Sequence, residues 1–353
     1  MIQWLARQIL NGFLVIWGIV TLLFLVFSGL GDPSQMVAGQ RSDLGTLESI
    51  REAYYLDKSL PVQYLYYLRD LSPLSTIDEN DPNFSAYQYK NIFEVTEGTL
   101  LVVKRPYLRR SFQTNREVSA MIIEKLPGTL ILGVTSMLLA SLLGITLGTI
   151  SGIKKNSWLD RGVVFCTLLG VSAPSFFIGV LILWVFSVLL GDITGLNATG
   201  YMIQPNIFGE GNRVVWRNLI LPSIALGIRP LAIITQLTRS SMIEVLSAEY
   251  IRTARAKGVS KFQVVIKHAL RNALNPVLTS ISGWFASLLA GAFFIELIFN
   301  WQGIGKLTID ALNKNDYPVI LGCALIIGVL FVLVNITVDF IYTRLDPRVK
   351  LQV

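Results

Sequence analysis

Hydrophobic residues in this chain form six long runs that are separated by polar segments. The first run, residues 9–30, has only Asn11, Thr21 and Ser28 as polar side chains. A helix of about 20 apolar residues crosses about 30 Å of hydrocarbon, so each run is long enough to span a membrane. The runs are continuously apolar, whereas the strands of a membrane barrel alternate in polarity. The pattern predicts an all-α, polytopic membrane protein with six transmembrane helices, at 9–30, 128–153, 163–190, 219–238, 277–299 and 318–343.

Composition supports this prediction. The 353 residues are 52% hydrophobic and 15% charged, too little charge to cover the surface of a soluble protein of this length. Intrinsic disorder requires low hydrophobicity and is excluded. Two Cys and the single His268 exclude a disulfide scaffold and a His-based metal site. We expect the first run to be retained, since it is longer than the apolar core of a signal peptide.

The basic residues predict the orientation in the membrane. Four segments lie on one side: 1–8, 154–162, 239–276 and 344–353. Together they hold 14 Lys and Arg against 4 acidic residues. The two short loops on the other side, 191–218 and 300–317, hold four of each sign. Because short cytoplasmic loops carry an excess of Lys and Arg, both termini are predicted to be cytoplasmic. The net charge of +7 is then a basic cytoplasmic face, with no nucleic-acid partner implied.

Residues 31–127 form a long external loop after the first helix. A connection of this length is expected to carry structure of its own. Its stretch Leu60 to Arg69 is amphipathic and rich in aromatic residues, which predicts a helix that begins near Pro61. Ser75 to Ala86 is polar and rich in turn residues. The loop is either a cap that meets a partner or guards an entrance, or a surface decoration with Tyr at the level of the lipid headgroups.

A second informative stretch lies on the cytoplasmic side, between the fourth and fifth runs. Residues 242–257 place apolar side chains at helical spacing, and Gly258 follows as a helix stop that needs a positive φ. Ser260 can then cap a second helix. The apolar stripe of that helix would contain Phe262, Val265, Ile266, Ala269, Leu270 and Ala273. The two helices are either a docking knob for a partner or a pair that lies on anionic lipid.

The sequence from Glu249 to Gly258, followed by that from His268 to Pro276, closely resembles the cytoplasmic coupling loop of dipeptide/oligopeptide-type ABC importer permeases. Further segments resemble the same family, at 31–33, 237–246, 294–305, 335–339 and 346–348. The resemblance is weakest at about 72–105, which looks like an insertion. Only Ala254, Gly258 and Leu270 match the signature of ABC importer permeases in general. The peptide-type branch of the family differs from that general signature in the same way.

This resemblance implies the type I ABC importer permease fold in a bacterial cytoplasmic (inner) membrane. Residues 1–30 would be the N-terminal segment with the first helix, 128–343 the permease core, 242–275 the coupling loop and 344–353 a cytoplasmic tail. The resemblance also implies which residues couple transport to an ATPase. They are Glu249, Tyr250, Arg252, Ala254, Arg255, Ala256, Lys257, Gly258, Phe262, His268 and Asn272.

The implied partners are a second homologous permease, two ATP-binding-cassette ATPases, an external solute-binding protein and membrane lipid. The chain has no phosphate-binding loop of its own, because the nearest match, Gly303 to Lys306, lacks the first Gly and the Ser or Thr that binds Mg²⁺. We therefore expect no enzymatic activity and no bound cofactor here, with ATP and Mg²⁺ used by partner subunits. The solute is a peptide, a nickel chelate or another small molecule.

Polar residues within the predicted spans are candidates for the path or gate: Arg229, Glu296, Asn335 and Asp339. Each has an alternative role as a structural tie between helices or at a helix end. Arg229 is followed by Pro230, and this pair is expected to interrupt the fourth span. The rival classes are an ion-gradient-driven secondary transporter and a membrane subunit without a transported solute. A secondary transporter predicts inverted repeats and mid-membrane carboxylates, neither of which the sequence shows.

Overall fold

The computed structural model describes residues 2–29, 48, 51–52, 54–96, 98–205 and 212–345, and most of them are helical. The long helices agree with the predicted all-α class, to which two small sheets are added. The helices are α1 (Ile2–Gly29), α2 (Leu60–Leu71), α3 (Val118–Ile153), α4 (Trp158–Ser172), α5 (Ser175–Leu183), α6 (Arg217–Ser247), α7 (Glu249–Ala256), α8 (Arg271–Gly291), α9 (Phe293–Ile298), α10 (Ile304–Asn313) and α11 (Tyr317–Leu345).

Four of the described helices are long and apolar enough to cross a membrane, namely α1, α3, α6 and α11, and the bent pair of α4 with the segment from α5 to Leu189 makes a fifth. A sixth span stays a prediction. Helix α3 begins at Val118, ten residues before the predicted start of the second span. The predicted fifth span, 277–299, is divided between α8 and α9 at Ala292. The segments Gly31 to Pro33 and Asp346 to Arg348 lie outside the described residues.

The third predicted span is not one straight helix. Its two halves, α4 and the segment from Ser175 to Leu189, meet at an angle of 112°. The bend is at Ala173, whose ψ of 139° is extended. Pro174 explains it, because the proline ring disfavours the helical conformation of the preceding residue. The prediction of a continuous helix over 163–190 is therefore wrong.

The fourth span, in contrast, is continuous where a break was predicted. Helix α6 continues through both Pro222 and Pro230, so the interruption expected at Arg229 and Pro230 is wrong. Both prolines are buried among neighbouring helices. Proline is tolerated inside membrane helices where packed neighbours and small local adjustments satisfy the backbone groups that it frees. The helix then extends to Ser247, and Arg239 lies in its C-terminal part.

The chain divides into two compact units, of which the first contains residues 1–4, 125–306 and 330–353. Its buried core includes Leu132, Leu221, Ile234 and Phe299. Helix α3 approaches α6 closely through a row of glycines spaced by four, which the sequence analysis did not single out. They are Gly144, Gly148 and Gly152, and a Cβ on each would overlap atoms of α6. Small residues at this spacing let the backbones of membrane helices approach each other.

The second unit contains residues 5–124 and 307–329. The helix predicted from Leu60 to Arg69 is confirmed as α2, with Pro61 in its first turn. The predicted insertion forms an antiparallel sheet in the order β1–β3–β2. Its strands are β1 (Leu74–Asp78), β2 (Tyr89–Thr96) and β3 (Thr99–Lys104). Ile77, Tyr87, Leu100 and Val102 form a core of their own under this sheet.

Charged side chains connect this sheet to α2. Asp70 is fully buried. Its carboxylate accepts a hydrogen bond from Tyr87 Oη at 2.7 Å and forms an ion pair with Arg109 at 3.3 Å. Arg69 forms an ion pair with Asp81. Lys104 donates to the backbone oxygen of Asp70 at 2.8 Å. Burial lowers the pKa of Lys104 to about 8, although the neighbouring Asp70 carboxylate opposes that shift.

Two further features occupy predicted external loops of the chain. A two-stranded antiparallel ribbon pairs β4 (Ile203–Pro205) with β5 (Asn212–Val214). The predicted loop 300–317 contains α10, a helix that the pattern did not predict. Both elements are short, so their apolar positions are too few to define a period.

Candidate functional site

The coupling loop, residues 242–275, is built around a turn at Gly258. Helix α7 ends at Ala256, and Gly258 adopts a φ of +77°. This is the left-handed conformation that the sequence predicts, and glycine adopts it without the steric cost of a Cβ. An added Cβ would meet no atom within 4 Å, so conformation and not close approach is what requires glycine here. Ser260 then caps the next helical segment and accepts from the backbone N–H of Gln263 at 3.3 Å.

The first predicted helix of the loop is shorter than expected. Residues 242–247 belong to the end of α6, and the break comes at Ala248, whose ψ is 149°. The chain then starts again at Glu249 as α7. Its buried residue, Ile251, packs against Met242 near the end of α6. The coupling loop therefore begins as a corner between two helices.

The second predicted helix has a different phase from the one expected. Lys261–Gln263 forms a helical turn, Val264–Leu270 is π-helical, and α8 follows without a break. A π-helical turn adds a residue per hydrogen-bonded ring, so the buried side changes along the segment. The buried positions are Val264, Ala269 and Ala273, spaced by five and then four.

The predicted apolar stripe is therefore wrong in part. Ala269 and Ala273 are buried, but Phe262 is 74% exposed and Ile266 is 46% exposed. Val265 and Leu270 are partly buried against the cluster. The side chains of Phe262 and Ile266 are thus outside the core of the loop.

A small core and side-chain hydrogen bonds fix the loop. The core consists of Met242, Ile251, Val264, Ala269 and Ala273. Ala254 packs against this cluster, so its small size serves the loop's own packing. Asn272 Nδ2 donates to Tyr250 Oη at 2.8 Å and to the backbone oxygen of His268 at 3.1 Å. This bond joins α7 to α8 and orients Tyr250, which is 43% exposed.

The remaining predicted coupling residues are at the surface. Glu249, Arg252, Arg255, Ala256 and Lys257 are all exposed, and His268 is half-buried. The loop therefore presents apolar and basic groups on a scaffold that is packed from within. Such a surface suits a protein partner that has an apolar groove and acidic residues around it.

An ion pair that the sequence analysis did not identify lies beside the loop. Arg239, near the end of α6, donates two hydrogen bonds to Asp160 in the first turn of α4, at 2.5 and 2.8 Å. Asp160 also accepts from Ser151 and from the backbone N–H of Asn156. A bidentate pair of this kind fixes geometry as well as adding energy. The two residues are 79 positions apart, and only the fold brings them together.

Glu296 is the most enclosed of the path or gate candidates, with no exposed surface. Its carboxylate accepts from Thr129 Oγ1 at 2.7 Å and from the backbone N–H of Lys306 at 3.0 Å. Lys306 lies in the first turn of α10, so the carboxylate caps that helix. Thr129 in turn accepts from the N–H of Ile304 at 2.8 Å. These contacts favour the structural alternative for Glu296.

The other three candidates are not brought together with Glu296 by any described contact. Arg229 is exposed, and its guanidinium carbon lies 5.9 Å from the ring centroid of Trp284. Asn335 donates to the backbone oxygen of Phe331 at 2.9 Å. Asp339 lies in α11, and its side chain is outside the described residues. Their assignment to a path or gate stays a prediction.

Comparison with known protein families gives two matches. Residues 144–351 match the model of the family described as binding-protein-dependent transport system inner membrane component. Residues 1–82 match the N-terminal model of the same kind of membrane component. The first match covers more than half of the chain and includes the coupling loop.

Similar proteins have been named for transport. The chain is 34% identical to a dipeptide transport system permease protein, DppB, of Alkalihalophilus pseudofirmus, over 99% of this chain and all of that protein. It is 33% identical to a glutathione transport system permease protein, GsiC, of Salmonella choleraesuis, and 32% identical to that of Escherichia coli, with 99% of each chain covered. All three matches extend through both compact units of the chain.

A solved structure shares the fold. An inward-facing structure of the MetNI methionine ABC transporter aligns with a TM-score of 0.51 and 15% sequence identity, covering 66% of this chain and 98% of that one. The family, the relatives and this fold agree on a permease component that is not itself an enzyme and that works with ATPases and a binding protein. The chain belongs to the family of binding-protein-dependent transport system inner membrane components and is the permease subunit of an ABC importer.

Proposed function

We propose that this permease serves an importer of peptides or peptide-sized solutes and that it transmits ATP hydrolysis through the coupling loop. The relatives named for a dipeptide and for glutathione, which is itself a small peptide, support the solute class. The basic segments support an orientation with both termini in the cytoplasm, which places the loop on the side of the ATPase. A nickel chelate or another small solute is the alternative.

One observation carries the coupling proposal, namely the exposure of Phe262 and Ile266 on a loop that has its own buried core. Large apolar side chains exposed together mark a contact with a protein partner or with the membrane. Here the π-helical turn buries Val264 and leaves Phe262 and Ile266 outside. Burying apolar surface in a partner's groove contributes about 25 cal/mol for each Å².

The complete importer would contain a second, similar permease, two ATPases that hold ATP and Mg²⁺, and an external solute-binding protein. The basic residues Arg252, Arg255 and Lys257 would steer the ATPase toward the loop. Contacts of exposed charges are weakened by salt, so neutralising these residues should have smaller and salt-dependent effects.

Photo-crosslinking tests whether the loop docks the ATPase. A benzophenone amino acid in place of Phe262 should crosslink to the ATPase subunit in membranes that contain the whole importer. The matched control is the same probe in place of Leu142, which is 71% exposed on the spanning helix α3. Crosslinks from position 262 to lipid alone would favour the alternative in which the loop lies on the membrane.

Mass spectrometry of the solute carried by the cognate binding protein tests the solute class. Because that protein delivers the solute, a bound peptide would support the proposal. A bound metal chelate would overturn the peptide assignment and leave the coupling proposal intact.

A further inference from the structure

A cavity of about 360 Å³ lies within the second unit, where the end of α1 and the start of α11 come together with α2. This volume is within the range of about 300–1,000 Å³ that small-molecule sites occupy. One part of the wall is apolar and includes Phe24, Phe27 and Leu321, and another part contains Tyr54 and Arg109. A cavity with one apolar side and one polar side suits an amphiphilic ligand.

Both polar residues have an unused donor. Within the described part of the chain, Tyr54 Oη and Arg109 Nε are buried and have no hydrogen-bond partner. An unpaired buried polar group costs about 1–3 kcal/mol, so two of them on one cavity wall indicate a missing partner. The Nε–H of arginine can only donate, and a phenol can donate. The missing partner is therefore an acceptor.

The charge of the Arg109 side chain favours an acceptor that carries negative charge. The Nη2 atom of Arg109 lies 3.3 Å from Asp70, and this carboxylate is shared with Arg69 at 3.8 Å. Asp316 is also near this wall, but it accepts from Ser111 Oγ at 2.5 Å and from the backbone N–H of Phe112 at 3.0 Å. Arg69 has its own ion pair with Asp81, so Asp70 is the partner of Arg109, whose Nε–H remains a donor on a charged group. A charged donor forms its strongest hydrogen bonds with anionic acceptors such as phosphate oxygens.

The apolar part of the cavity is at the ends of two candidate spans. Phe24 and Phe27 belong to the last turns of the span Ala6–Gly29, and Leu321 to the first turns of the span Tyr317–Val338. The cavity therefore lies at the level where these two helices leave the hydrocarbon. Aromatic residues are enriched at that level. An acyl chain of a ligand in this cavity would continue into the bilayer.

We propose that this cavity is a binding site for a phospholipid of the outer leaflet. Its phosphodiester oxygens accept hydrogen bonds from Tyr54 and Arg109, and one acyl chain lies against Phe24, Phe27 and Leu321. The assignment to the outer leaflet rests on the proposed orientation with cytoplasmic termini. The lipid would join α1, α2 and α11 and hold α2 and the adjoining sheet, residues 60–104, at the membrane surface.

Lipid binding to the purified importer tests this site. The complex, delipidated in detergent, is titrated with phosphatidylglycerol and observed by native mass spectrometry. Leu321→Trp should fill the cavity and weaken binding of one lipid more than tenfold. Tyr54→Phe removes one donor and keeps the ring, and it should weaken the same binding about fivefold to tenfold, which corresponds to about 1–1.4 kcal/mol. Leu22→Trp is the control, since Leu22 is 61% exposed on α1 outside the cavity.

Three outcomes would overturn the proposal. The first is equal lipid binding by Leu321→Trp and wild type, and the second is full displacement of the lipid by glycerol phosphate, which would indicate a site for a free anion. The third is equal loss in Leu22→Trp, which would indicate unspecific annular lipid. If Leu321→Trp fails to fold, Leu71→Phe replaces it. Copurification of the ATPase, measured on the same samples, reports separately on the proposed function.

Discussion

Glu296 occupies a space that exists because residues 303 and 305 are glycines. A Cβ on Gly303 would overlap the carboxyl group of Glu296, which is held by Thr129 and by the N–H of Lys306. The sequence shows a glutamate near the end of an apolar run and cannot show this enclosure. The contacts join residues up to 167 positions apart, and local periodicity contains no information about them.

At the residue scale, we expect Gly303→Ala to destabilise the protein by about 1–3 kcal/mol, because the methyl group forces Glu296 out of its hydrogen bonds. Gly162→Ala is the matched control. Gly162 is helical with no atom within 4 Å of an added Cβ, so that change should stabilise by about 0.5–1 kcal/mol. Thermal unfolding in detergent measures both. Equal effects of the two substitutions would contradict the enclosure of Glu296.

A second prediction at this scale concerns the pH dependence of the three-stranded sheet. The pKa of Lys104 is about 8 in the folded protein and 10.5 for an ordinary lysine. Between these values the unfolded chain binds more protons, so the free energy of unfolding rises with pH. Above pH 10, Tyr55 and Tyr67 act in the opposite direction, because burial raises the pKa of each to about 12.

Limited proteolysis within 72–104 at pH 7.5 and 9.5 measures this effect. Wild type should gain resistance at the higher pH relative to Lys104→Met, which has no charge to lose. The ratio of the two cleavage rates removes the pH dependence of the protease itself. An unchanged ratio would show that Lys104 does not titrate in this window.

At the scale of elements, the coupling loop shows which features a sequence determines locally. The turn at Gly258 and the cap at Ser260 depend on neighbouring residues, and both were predicted correctly. The phase of the following helix was not, because the π-helical turn moves burial from Phe262 to Val264. The π-helical segment packs against Met242 and Ile251. A helical wheel contains no information about this packing.

Proline shows the same limit. Pro174 accompanies a sharp bend, whereas Pro230 lies inside a continuous helix. The local chemistry of the two residues is the same. What differs is the packing around the helix, which either supplies partners for the freed backbone groups or does not.

Gly258 gives the prediction at this scale. Gly258→Val should cost about 1–2 kcal/mol or more, because a β-branched residue is strained at a φ of +77°. The loop would shift, and stimulation of the ATPase by the loaded binding protein should fall while membrane insertion is kept. Gly258→Asn is the matched control, since asparagine tolerates the left-handed region. Full stimulation in Gly258→Val would contradict a role of this turn in coupling.

At the scale of the whole molecule, apolar runs predict most of the helical framework, and the structure adds a three-stranded sheet. The sequence pattern did not predict the strands. They belong to a small sheet, with β3 in the centre and β2 at an edge, that only a few residues stabilise. The bond from the Lys104 side chain to the backbone oxygen of Asp70 in α2 joins residues 34 positions apart, and a local pattern does not contain it. Residues 74–104 are therefore a folded part of the protein.

Reporter fusions test the predicted topology. A reporter after Lys257 should be cytoplasmic, because the segments with 14 Lys and Arg are placed inside. A reporter after Asn80 should be external. An external signal at Lys257 would reverse the orientation and remove the coupling loop from the side of the ATPase.

The central claim is that this subunit couples a separate ATPase to solute import through the exposed groups of the coupling loop. The most direct measurement is ATP hydrolysis and solute uptake by the importer reconstituted in vesicles, with and without loaded binding protein. The double variant Phe262→Ala with Ile266→Ala should keep its stability and lose most of the stimulated hydrolysis and uptake. The control, Val264→Ala, changes a buried residue and should lower stability. Wild-type stimulation and uptake in the double variant would contradict the account.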